Sequence, residues 1–311
     1  CPMRRFLGPL VATALAVSLQ STPALAEDPS PSVGVRPLLG PLYLLQGRGG
    51  NVVASVGSDG VLLVDNDYAQ LSGAYQQAIN ALTGGEGDAG VVPQFVLNTH
   101  WHTDHAGGNP YWGGKGAVIV AHHNVRERMS TRQEVAALGM VVEPSPPEAL
   151  PVVTYGSSMA LHFNGADIEL QHYPGGHTDG DSVVFFVQQN VLHTGDLYFM
   201  DRFPFVDVSS GGNAVTYMDN VALLLARIDS DTLIVPGHGP TATKGDLERF
   251  HLMLGRTIDA VRTGLNGGST VDQLIDKGLG KEWTTWGSGF VNEATWIRII
   301  AASLQASAGK G

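Results

Sequence analysis

The chain has 311 residues, 43% of them apolar and only 15% charged, with 40 glycines and 17 prolines; this excludes a disordered chain, a coiled coil and a small disulfide scaffold. Eighteen basic against 29 acidic residues give a net charge of −11, which argues against a broad phosphate-binding face and so against nucleic acid as a partner. The single cysteine is Cys1, so the body of the chain offers no disulfide, thiolate nucleophile or cysteine metal ligand.

Residues 3–26 read as a secretory signal. Arg4 and Arg5 supply the positive start, Phe6 to Leu19 a mostly apolar run, and Ala24-Leu25-Ala26 the small residues of a cleavage site. The run is short for a membrane span and Pro9 interrupts it. Cleavage after Ala26 is expected, giving an exported mature chain outside the membrane, periplasmic if the source is Gram-negative. Glu27 to Pro41, rich in proline and serine, is expected to be a flexible leader to a single domain over 42–311.

Within that domain, residues 42–46, 51–56 and 61–65 read as antiparallel strands joined by glycine turns. A helix is predicted over 67–82, stopped by Gly84-Gly85. A strand over 94–97 runs straight into Asn98-Thr99-His100. Another follows over 117–120, then a helix over 123–138, and a proline-rich loop at 144–151 divides the chain roughly in half. The second half repeats the style, with strands over 152–155, 159–163, 166–172, 182–187 and 190–194, then a helix over 213–228. Leu233 to Val235 ends in Pro236-Gly237-His238, and helices follow over 243–265, 270–277 and 290–305. Strands clustered in each half with helices between them predict an α/β fold of two sheets packed face to face, helices outside.

The sharpest chemical signal is His100-Trp101-His102-Thr103-Asp104-His105. Four potential ligands lie within six residues directly after an apolar strand. On a loop leaving a strand, that spacing can turn His100 and His102 toward one ion and leave Asp104 and His105 for a second. Imidazole and carboxylate are the donors a borderline cation such as zinc prefers. Three later sites share a strand end followed by a ligand beside glycine: Gly176-His177, Gly195-Asp196 and Gly237-His238. His122, His123, His162, His172, His193 and His251 lack such spacing and read as structural or surface residues.

The order HxHxDH, then H, D and H resembles the metallo-β-lactamase superfamily, over roughly residues 42–245. The resemblance implies a four-layer αβ/βα sandwich with a metal centre at one edge. It implies two zinc ions per chain: one on His100, His102 and His177, the other on Asp104, His105 and His238, with Asp196 bridging both. It further implies a hydrolase in which a metal-bound hydroxide attacks an amide or ester carbonyl, with Asp104 orienting that hydroxide or relaying its proton. Efficient β-lactamases of the superfamily usually carry Cys or Ser where Asp196 stands, whereas an aspartate is similar to the lactonase, glyoxalase II and nuclease branches. A cyclic ester is therefore the expected substrate, with β-lactams hydrolysed modestly. An iron-dependent, persulfide dioxygenase-like oxidoreductase and a dedicated metallo-β-lactamase are the alternatives. Tyr198, Phe199, Phe203 and Phe205 around Arg202 form a candidate substrate wall, Arg202 its anion contact, with Trp101 either flanking the pocket or filling core. A small molecule is the expected partner.

Overall fold

The computed structural model describes residues 32–85 and 90–308; the signal read over residues 3–26 lies outside them. In the first half, β1 (Gly34–Pro37), β2 (Leu42–Gln46), β3 (Val52–Gly57) and β4 (Gly60–Val64) form an antiparallel meander. Helix α1 (Ser72–Thr83) follows, then β5 (Phe95–Leu97), the short helices α2 (Thr103–Ala106) and α3 (Asn109–Gly114), and β6 (Val118–His122). Helix α4 (His123–Ser130) leads into a hairpin of β7 (Gln133–Val135) and β8 (Met140–Val142), and β9 (Val153–Tyr155) completes a seven-stranded sheet in the order β1-β2-β3-β4-β5-β6-β9.

In the second half, β10 (Ser158–Phe163), β11 (Ala166–His172), β12 (Ser182–Phe186) and β13 (Val191–His193) run antiparallel. Helix α5 (Ala214–Arg227) then crosses over to β14 (Leu233–Val235), which pairs parallel with β13. Helices α6 (Lys244–Asn266), α7 (Val271–Lys277) and α8 (Glu293–Ala308) close the described chain. Asn213 caps α5 by accepting from the amides of Val215 and Thr216, and α6 opens with a capping box of Thr243 and Asp246.

The layers follow from strand alternation. In β4, Leu62 and Val64 face the second sheet and meet Ile168, Leu170, Val184 and Phe186. Val61 and Leu63 point the other way, toward Tyr75 and Ile79 of α1. The outer face of the second sheet, with Val183, Leu192 and Ile234, packs on Tyr217, Leu224, Phe250 and Trp296 of the helices. The order is helix, sheet, sheet, helix, the αβ/βα sandwich expected. Strands buried on both faces read as continuous apolar runs, which is why β4, β5, β6 and β14 were legible.

Two expectations change. Residues 34–37, assigned to a flexible leader, form β1; all four are exposed, and they add to the edge of β2 by backbone pairing, which carries no hydrophobic signature. The helix expected over 123–138 stops at Ser130, and Thr131 is extended. Gln133 and Val135 are buried on alternate positions, and Arg128 donates to the Gln133 side chain. The Val-Ala-Ala-Leu run that looks helical makes only a 3-10 turn over Ala136–Leu138, ended by Gly139 at φ 60°.

Candidate metal centre

Strands β4, β5 and β6 run parallel, as do β13 and β14. The segments that leave β5, β13 and β14 carry His100 and His102, Asp196, and His238, while His105 sits on α2 and His177 on the turn after β11. Asn51 ties the two halves together: its amide group donates to the carbonyls of Pro236 (2.8 Å) and Gly239 (2.9 Å), and its backbone N–H to that of Gly237 (2.7 Å).

All seven predicted ligands converge. The ligand atoms of His100, His102 and His177 lie within 4.8 Å of one another, as do those of Asp104, His105 and His238, and those of His100, His105 and Asp196. His102 Nδ1 is 2.9 Å from His177 Nε2, and His105 Nε2 is 3.3 Å from His238 Nε2. Asp104 Oδ2 lies 3.2 Å from His238 Nε2 and 3.8 Å from His105 Nε2. Asp196 stands between the groups. Its Oδ2 is 3.4 Å from His177 Nε2 and 3.9 Å from His100 Nε2, while its Oδ1 is 3.1 Å from His105 Nε2 and 3.5 Å from His238 Nε2. Backbone presses against these ligands where only glycine fits: a Cβ on Gly237 would sit 1.9 Å from Asp196 Oδ1, and one on Gly50 2.2 Å from His105.

The outward nitrogen of each buried imidazole is engaged, which sets the inward one. His105 Nδ1 is 2.8 Å from Asp65 Oδ2, His102 Nε2 is 3.2 Å from Asp207 Oδ2, and His177 Nδ1 donates to the Phe205 carbonyl at 2.7 Å. Such partners hold metal-ligating rings in one orientation and tautomer. The buried His100 Nε2 has no hydrogen-bond partner. A buried ring nitrogen left without a hydrogen bond among the described residues and set within a ring of donors is what a cation requires, so the residues fit a bound metal.

The two clusters differ electrostatically. Burial, followed by the neighbouring His105 and His177, holds the His100 imidazole well below its ordinary value, and burial brings His177 down to about 4; both are neutral donors. Burial also opposes protonation of His105 and His238. There the carboxylates win: Asp196 and Asp104 raise His105 well above its ordinary value and His238 to about 9. Burial would raise the Asp104 carboxyl, yet His105 and His238 bring it down to about 2, ionised throughout the physiological range.

Above this cluster opens a cavity of about 370 Å³, with His102, Asp104, Asp196 and His238 at its floor. Trp101, Phe199, Arg202, Phe203 and Phe205 of the predicted set line it. Trp101 fills core as well, being 3% exposed. Tyr198 does not line it. The chain alternates here, so Phe199 turns onto His238 (rings stacked, 5.6 Å) while Tyr198 points inward, fully buried against Phe250. Sequence reasoning missed the other walls: Tyr68, the β7–β8 hairpin and Phe290. It also missed Asp65 and Asp207. Asp65 did carry a signal, an acid at the end of an apolar strand, the same pattern that exposed Asp196.

The sequence model of the metallo-beta-lactamase superfamily matches residues 83–238. The chain belongs to that superfamily, whose members are mostly metal-dependent hydrolases. Among curated proteins it is similar to an uncharacterized protein of Mycobacterium tuberculosis (strain H37Rv), 27% identical over 184 residues that cover 53% of this chain and 77% of that protein. It is also similar to the hydroxyacylglutathione hydrolase of Polaromonas sp. (strain JS666), 29% identical over 144 residues covering 46% and 47%. The crystal structure of DIM-1 metallo-beta-lactamase superposes with a TM-score of 0.58 at 15% identity, covering 72% of this chain and 98% of that one, a likeness of fold. No helix among the described residues is long and apolar enough to cross a membrane.

Proposed function

We propose that the protein is an exported dizinc hydrolase that opens a small ester or amide, preferring a lactone or related ester to a β-lactam. The observation that carries this reading is Asp196, whose two oxygens face the two ligand clusters separately. Two zinc ions held by these clusters would supply Lewis acidity toward a carbonyl and a water acidic enough to ionise near neutral pH. The chain does the rest. Asp104, ionised at the cavity floor, accepts a proton at its carboxylate or orients the attacking water. The aromatic walls set an apolar lining around the reacting carbonyl. The carboxylate of Asp196, which faces both ligand clusters, would add negative charge to the metals held there and so lower their electrophilicity relative to a neutral residue at that position. A substrate that needs strong stabilisation of a leaving nitrogen suffers most from that.

The test is kcat/KM for several lactones, a chromogenic cephalosporin and a carbapenem on the zinc-loaded protein, each with and without chelator. Lactones are expected to lead and chelator to abolish all turnover; lactam turnover near about 10⁶ M⁻¹s⁻¹ would make this a dedicated β-lactamase instead. Metal analysis of protein purified without added metal is expected to find two zinc per chain. One iron per chain would turn the reading to an oxidoreductase. Arg202 is exposed, lines the cavity and forms no ion pair among the described residues. Arg202→Ala should raise KM for anionic esters more than for neutral ones, and an equal rise would show that it contacts no anion. Export predicts that secreted material begins at Glu27; a mature product that retains Arg4 would sink it.

A further inference from the structure

Beside the metal-facing cavity lies a second one, of about 490 Å³. The two share Tyr68, Trp101, Thr103 and Val142 as walls, so they are neighbouring compartments of one groove. The second compartment runs under the loop that follows β8. Ala106, Pro110, Met129, Pro144 and Pro146 give it an apolar lining. Its charges are already satisfied. Arg128 donates to both oxygens of Asp179 (3.2 and 2.7 Å) and to Gln133 (2.9 Å), while Glu143 is exposed and lies 3.6 Å from Arg132. Both charged residues of the lining thus have a partner of opposite charge. None of the seven candidate ligands lines it, so it carries no chemistry of its own.

We infer that this compartment is a subsite for an uncharged, apolar chain attached to the substrate whose ester or amide sits over the metal centre. This rests on the hydrolase reading above and narrows it: the substrate is elongated, its reactive ring or ester in the first compartment and an alkyl or aryl tail in the second. Tyr68 is partly exposed and Val142 half-buried, so the neck between the compartments is made partly of side chains with room to turn. Each methylene that leaves water for the tail subsite tightens binding up to about fourfold.

The experiment measures binding, not turnover, so that it decides the subsite even if no ester is cleaved. The probes are hydrolysis-resistant γ-lactams with methyl, butyl and octyl side chains, titrated calorimetrically into the zinc-loaded protein. Kd is expected to fall two- to fourfold per methylene at one site per chain. Gln70 and Ser145 both line the compartment, and either Gln70→Trp or Ser145→Trp should fill it and cut the ratio of methyl to octyl Kd at least tenfold. Gln70 is exposed and precedes α1, so its variant keeps the test valid if the Ser145 variant fails to fold. A wild-type Kd independent of chain length, or a ratio that survives Gln70→Trp, would overturn the subsite. Should the lactams show the chain-length series while the matching γ-lactones are not hydrolysed, the subsite stands and the hydrolase reading falls.

Discussion

At the scale of the residue, the imidazoles of His100, His102, His105 and His177 have two jobs, one nitrogen anchored to the scaffold and the other turned inward. The anchors are unequal in charge, a carboxylate for His105 and His102 but a carbonyl for His177. On the proposed dizinc reading, Asp196 would matter to both ions and His238 to one. After dialysis against a graded chelator, His238→Ala is expected to retain about one zinc per chain, and Asp196→Ala to lose both at lower chelator than the parent. Loss of both ions together in His238→Ala would contradict the assignment. A second residue-scale prediction concerns His122, which stacks on His172 at 3.6 Å and uses both ring nitrogens, one against the Gly156 carbonyl and one against the Asn124 amide. Burial and then His172 bring its pKa down to about 4, from 6.5 when unperturbed. A histidine depressed in the fold contributes its full stability above about 6.5 and loses it as pH falls through about 4. Urea unfolding of the metal-free protein should therefore weaken across that window, less steeply in His122→Asn; identical slopes would show that His122 does not contribute.

Among the elements, the β7–β8 hairpin is the one built least like core. Leu138 is 39% exposed and Met140 46%, yet both face the cavity over the metal centre, opposite Phe290 at 73%. Apolar side chains left in water on both sides of one opening gain most when something apolar bridges them. Leu138→Ser with Met140→Ser is expected to raise KM for apolar esters several-fold while kcat and Tm stay close to the parent, because neither side chain supports the core. A parallel fall in kcat would mean that the hairpin positions the centre itself.

Across the whole molecule, the helices after β14 are structural partners of the cavity. Trp296 on α8 is fully buried, donates to the Thr257 hydroxyl of α6 at 3.0 Å and stacks on Phe203 of the cavity wall. Trp296→Ala should cost roughly 3–5 kcal/mol in denaturant unfolding, and it should also raise KM through Phe203. A cost below about 1 kcal/mol would place α8 outside the cooperative unit.

The seven candidate ligands, which the fold brings together, and nearly every strand and helix were legible in the sequence because their signals are local. A ligand follows an apolar strand within two or three residues, and alternation along one element reports which faces are buried. Whatever depends on a neighbour distant in the chain was not legible. β1 exists because β2 has an unpaired edge, and the 133–142 segment is a hairpin because Arg128 and the cavity claim its side chains. Phe199 rather than Tyr198 meets the centre because the chain there bridges to His238, which sets the alternation. Asp65 and Asp207 became partners of His105 and His102 only when residues 40 and 105 positions apart were brought together. The sequence by itself thus determined which groups could bind metal and on which elements they ride. Tertiary structure alone decided which nitrogen of each ring faces inward, and which side chains enclose the space above, because both are set by contacts that no local pattern encodes.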